Sequence, residues 1–77
     1  MAINIFDVNY QLGKRIYFLR MERKISQEEL AFRSNINKNY LSDVERGTRN
    51  PTLKVVAKIA KGLNITIEEL FKGIGVN

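Results

Sequence analysis

Apolar residues along this chain recur at intervals of three and four rather than alternating, the pattern of helices that each bury one face. Leu12, Ile16 and Leu19 form the first stripe, which predicts a helix over Val8 to Arg23 capped by Asp7 or Asn9. Gly13 falls inside it. Glycine in a helix interior costs roughly 0.5–1 kcal/mol relative to alanine, so it implies either close packing or a later helix start. Ser26-Gln27-Glu28-Glu29 has the spacing of a capping box and starts a second helix that runs through Ser34, with Leu30 and Ala31 inward. The chain must turn at Asn35, and Asn37 caps a third helix that ends at Arg46, stopped by Gly47. Pro51-Thr52 sets up a fourth helix whose apolar positions are Leu53, Val56, Ile59, Ala60 and Leu63, with Asn64 ending it in a left-handed conformation. Thr66-Ile67-Glu68-Glu69 repeats the capping box and starts a fifth, closed by Gly73. The fold class is all-α, a compact five-helix arrangement.

Seventy-seven residues make one small domain with a single core, of a size that buries only about 60% of its unfolded surface. No linker, repeat or low-complexity stretch divides residues 1–77, and Pro51 is the only proline. Cysteine and histidine are absent. That removes disulfides, thiolate and imidazole chemistry and the commonest metal ligands, and no carboxylate comes with a catalytic setting. An enzyme is not expected, nor a metal, a cofactor or a small-molecule ligand. The apolar runs are far too short for a membrane span and no signal-peptide pattern opens the chain, so a cytoplasmic location is expected.

Thirteen Lys and Arg against eight Asp and Glu give a net charge of +5. The distribution is more informative than the sum. Twelve of the bases but only five of the acids lie between Lys14 and Lys61, a net +7 for the middle of the chain, which favours a polyanionic partner for that segment.

Helices 2 and 3, joined by a tight turn over roughly residues 26–46, form a helix-turn-helix unit, whose second helix can enter the DNA major groove. Asparagine is a mediocre helix former, yet three of them crowd the start of that helix. Asn35 suits a positive φ and Asn37 is the cap, whereas Asn39 has no structural duty of this kind. At 100° per residue, Asn39, Ser42, Asp43 and Arg46 fall on one polar face while Leu41 and Val44 point the other way. Lys38 sits beside that stripe at the N-terminal tip, where recognition helices meet base edges.

These features, taken with Leu19-Arg20, Tyr40-Leu41-Ser42-Asp43-Val44-Glu45-Arg46-Gly47, Arg49-Asn50-Pro51-Thr52 and Ile59-Ala60 through Leu63, resemble the Xre-like helix-turn-helix repressors and Cro-like proteins of phages and bacteria. Within that family the chain is most similar to the controller proteins of restriction–modification systems. Asn35 and Asn64 depart from the family's usual glycines, but both preserve the backbone conformation. The resemblance implies a sequence-specific transcription regulator that binds a two-fold symmetric operator in double-stranded DNA as a homodimer.

By position, the resemblance makes Lys38, Asn39 and Asp43 base readers, with Ser42 on the same face. The chemistry agrees, since Asn pairs with adenine, Lys with guanine acceptors and Asp with the cytosine amino group. Asp43 has two other possible partners, Asn39 and Arg46. The expected backbone contacts are Gln27, Asn37, Tyr40, Arg46, Arg49, Asn50, Thr52 and Lys54. Arg20 and Glu45 are implied to form a structural salt bridge. Ile65, Ile67, Phe71, Ile74 and Val76 are expected to form a dimer interface within about residues 63–77, the alternative being that Ile67 and Phe71, or Ile3, Ile5 and Phe6, merely cover helix 1. Glu28 and Glu29 serve the cap and the helix dipole, and a lesser reading gives Glu28 a contact with RNA polymerase. A second class of function, an antitoxin-type protein-interaction module, stays open.

Overall fold

The computed structural model describes residues 5–75, with side chains from Val8 onward. These residues form five helices and no strand: α1 (Ile5–Glu22), α2 (Gln27–Ser34), α3 (Lys38–Arg46), α4 (Leu53–Gly62) and α5 (Ile67–Leu70). The caps follow from local hydrogen bonding. Ser26, Thr52 and Thr66 each accept the backbone N–H three residues on through the side-chain hydroxyl, and Asn37 accepts those of Asn39 and Tyr40. Asn35, Gly47 and Asn64 take the left-handed conformation, with φ of 55°, 79° and 61°.

Two boundaries differ clearly from the sequence expectation. α1 begins at Ile5, so Asp7 and Asn9 lie within it and neither is its cap; no Gly or Pro in Ile5-Phe6-Asp7 halts the helix there. Its other end is closed by Lys24 at φ 55°, with the Ile25 N–H reaching back to the Arg20 carbonyl. α5 ends at Leu70 rather than at Gly73, since Phe71 already departs from helical geometry. In addition, Leu53 is not a core residue: it opens α4 at 73% exposure.

Leu12, Ile16 and Leu19 of α1 meet Leu30 and Ala31, Leu41 and Val44, and Val56, Ile59 and Ala60, with Leu63 and Leu70 completing the core. α2 packs mainly on α4 and α1 mainly on α3. Arg15 ties α1 to α5, donating from Nη2 to the Glu69 carbonyl and carboxylate at 2.9 Å each.

Gly13 reports how closely α1 crosses α3. A Cβ there would sit 2.4 Å from the Glu45 carbonyl oxygen and 2.6 Å from that of Val44. Both are backbone atoms and cannot swing aside. Close packing, not a late helix start, accounts for this glycine. In an exposed helix Gly→Ala gains roughly 0.5–1 kcal/mol. Here the sign should reverse, with Gly13→Ala losing about 1–3 kcal/mol to overpacking in a urea melt; equal or greater stability would mean that the two helices are not in backbone contact.

Candidate nucleic-acid interface

The turn between α2 and α3 is built by two of the three asparagines singled out in the sequence, Asn35 and Asn37. Asn35 reverses the chain, and the Ile36 N–H caps the Ala31 carbonyl at 3.0 Å. Asn37 then accepts from the N–H groups of Asn39 and Tyr40 at 2.7 and 3.2 Å, so its side-chain oxygen is committed to the cap and only its amide N–H groups remain for a phosphate. Asn39 is exposed, and its amide side chain has no hydrogen-bond partner among the described residues. Lys38 is exposed beside it.

Farther along the same face the polar groups are already engaged with one another. Arg46 donates to the Ser42 hydroxyl at 3.0 Å and pairs with the Asp43 carboxylate. Arg49 approaches the other Asp43 oxygen at 3.4 Å while its guanidinium lies over the Tyr40 ring, 4.6 Å from the centroid. Of the partners open to Asp43, Arg46 is the one engaged, joined by Arg49; no hydrogen bond to Asn39 is present. Such exposed pairs are worth only about 0–1 kcal/mol. Either arginine arm can therefore leave the Asp43 carboxylate at little cost.

The inner side of α3 is fixed by a different kind of contact. Arg20 donates from Nε to one Glu45 oxygen and from Nη2 to the other, both at 2.9 Å, with the two side chains only 8% and 5% exposed. The remaining Arg20 nitrogen, Nη1, donates to the Ile25 carbonyl at 3.1 Å. Gln27, the first residue of α2, donates from Nε2 to the same Glu45 carboxylate at 3.1 Å, which leaves its second amide N–H for a phosphate. Thr52 uses its hydroxyl as the α4 cap, while Asn50 and Lys54 are exposed.

The residues expected to form the dimer contact lie apart from this face. Ile65, Phe71 and Ile74 are half-buried against the core and Ile67 is 40% exposed. Val76 lies outside the described residues. Beside Ile65 and Ile67 an open groove of about 510 Å³ runs along Ala57, Ala60 and Lys61. Sequence reasoning passed over Tyr10, Lys14 and Tyr17 of α1, which line a cleft with Gln27 and Arg46; their spacing of four and three was the available signal.

The family profile HTH_3, described as Helix-turn-helix, matches residues 16–70. The chain belongs to this family. It is not an enzyme. It is 38% identical over 69 residues to control protein C.MunI of Mycoplasma sp, covering 88% of this chain and 93% of that protein. The crystal structure of the restriction–modification controller protein C.AhdI from Aeromonas hydrophila superimposes with a TM-score of 0.80 at 41% identity, covering 82% of this chain and 96% of that one. The controller protein C.Esp1396I, solved as a tetramer in complex with its natural 35 base-pair operator, gives a TM-score of 0.81 at 33% identity, over 87% of this chain and 88% of that one. Among the described residues no helix is long and apolar enough to cross a membrane.

The Arg20–Glu45 geometry leads to a stability prediction. Arg20→Met strands a buried carboxylate and should cost roughly 3–5 kcal/mol, whereas replacing both residues by apolar ones of similar volume should cost much less. Chemical denaturation of the single and double variants measures this; equal losses would show that the pair is not coupled.

Proposed function

We propose that this chain is a sequence-specific transcription regulator that inserts α3 into the major groove and acts as a homodimer on a two-fold symmetric operator of a restriction–modification operon. The observation that carries the reading is Asn39, whose unengaged amide is presented at the tip of α3 by the Asn37 cap. A residue poor at forming helices, held out from a helix with nothing to bond, is suited to a bidentate pair with adenine. Lys38 flanks it, and Ser42 and Asp43 follow on the same face. Gln27, Asn37 and Tyr40, with Arg46, Arg49, Asn50, Thr52 and Lys54 beyond, supply donors to the sugar–phosphate backbone. The similarity to control proteins, one of them solved on its operator, supports the same reading.

In this proposal residues 1–77 act as one DNA-binding domain, working in the cytoplasm. Residues 63–77 join two copies through Ile65, Ile67, Phe71, Ile74 and Val76, with the groove beside Ile67 receiving the partner. The outward face of α2, with Glu28 and an 81% exposed Phe32, is the surface left for RNA polymerase. A toxin-binding module is the weaker reading, because it gives the polar face of α3 no task.

Asn39 and Arg49 should fail in different ways. Asn39→Ala should lose roughly 1–3 kcal/mol of discrimination at one base pair per half-site while leaving non-specific binding unchanged. Arg49→Ala should weaken binding to all sequences and make the salt dependence shallower by about one. Titrations on operator and scrambled duplexes at several salt concentrations separate the two; an Asn39→Ala variant with the parent's discrimination would remove Asn39 from the reading surface.

A further inference from the structure

Beside the helix-turn-helix, a cleft of about 540 Å³ opens between α1 and the C-terminal end of α3. Tyr10, Lys14 and Tyr17, spaced by four and three, project from one face of α1 and form one wall. Gln27, Arg46 and Thr48 form the other. α1 is held against the end of α3 at Gly47, where a Cβ would stand 2.9 Å from the Tyr10 Cα. The Lys14 ammonium is placed by Tyr10: it lies 5.3 Å from the ring centroid and donates to the hydroxyl at 3.4 Å. The two tyrosines are each 53% exposed.

We infer that this cleft seats one phosphodiester of the DNA backbone beside the base pairs that α3 reads, so that α1 extends the nucleic-acid surface beyond the helix-turn-helix. The inference rests on the DNA-binding reading above. The rim offers donors from an ammonium, a guanidinium, an amide N–H and the hydroxyls of Tyr10 and Tyr17, while the Thr48 hydroxyl is spent on the Asp43 carbonyl at 3.2 Å. The only carboxylate in the cleft is Glu45 at its floor, and both of its oxygens are occupied, one by Arg20 and the other by Arg20 and Gln27. The floor is therefore neutralised, and because Arg46 is shared with the Asp43 carboxylate, the uncompensated positive charge of the rim is that of Lys14. The cleft is continuous with α3 through Arg46, which identifies the anion as a phosphate of the same duplex rather than a free ion. Tyr10 and Lys14 precede residue 16, where the family match begins, whereas Tyr17, Gln27, Arg46 and Thr48 lie within it.

The test uses the full chain carrying Tyr10→Phe and Lys14→Gln, both exposed positions, on a duplex selected from a random pool and on a scrambled duplex. The expected result is a logarithmic salt dependence shallower by about one on both DNAs, with their affinity ratio unchanged. Methylphosphonate replacement of single phosphates should weaken the parent at a position, one per half-site, to which the variant is indifferent. A variant with the parent's salt slope and the parent's methylphosphonate profile overturns the seat while leaving the DNA-binding reading intact. A parent that does not prefer the selected duplex overturns both.

Discussion

The bidentate pair between Arg20 and Glu45 is the contact on which the geometry of this protein depends. It joins α1 to α3, and through the Ile25 carbonyl and the Gln27 amide it also fixes the α1–α2 turn and the first residue of α2. Burying two charges is costly, and the cost is offset here because both carboxylate oxygens and three guanidinium nitrogens find partners. An apolar pair would hold the helices together as well. What it lacks is direction: two parallel hydrogen bonds set the rotation of α3 about its axis, and that rotation decides which side chains face outward. Gly13 lets the two backbones approach closely enough for the pair to form.

With its inner side fixed, α3 presents two zones that differ in how free their groups are. At the tip, Lys38 and Asn39 are exposed, and Asn39 has no side-chain partner among the described residues. Toward the end, Ser42, Asp43, Arg46 and Arg49 form a network of weak exposed pairs. Weak pairs of this kind keep the arginines near the surface that DNA would approach while yielding readily to base or phosphate. Arg49 is further restrained by stacking on Tyr40, an arrangement that lowers the entropy lost when it meets a phosphate.

Much of this was legible in the sequence because it is local. A capping hydroxyl at Ser26, Thr52 or Thr66 bonds a backbone group three residues away, and Asn35, Gly47 and Asn64 announce positive φ by their own chemistry. The start of α1 was misjudged because Asp7 and Asn9 are good caps in isolation, and a cap signal has no force where the residues before it continue the helix. Leu53 fits the apolar stripe of α4 yet is exposed, since the first position of a helix overhangs the element it packs on. Lys24 carries no sequence mark of its left-handed conformation; the Ile25–Arg20 backbone bond imposes it. Contacts between distant segments were the least readable. The Gln27–Glu45 contact spans 18 residues, the Arg15–Glu69 pair spans 54, and the cleft beside Tyr10 exists only because α1 meets the end of α3. The Arg20–Glu45 pair was anticipated from family resemblance, not from the residues themselves.

The central claim is that the outer face of α3, duplicated about a two-fold axis, reads a defined DNA sequence. Selection of bound duplexes from a random pool, followed by sequencing, tests it most directly. The account predicts enrichment of an inverted repeat whose half-site centres are about one helical turn, roughly 34–36 Å, apart. Recovery of no common sequence, or of one without two-fold symmetry, would contradict it.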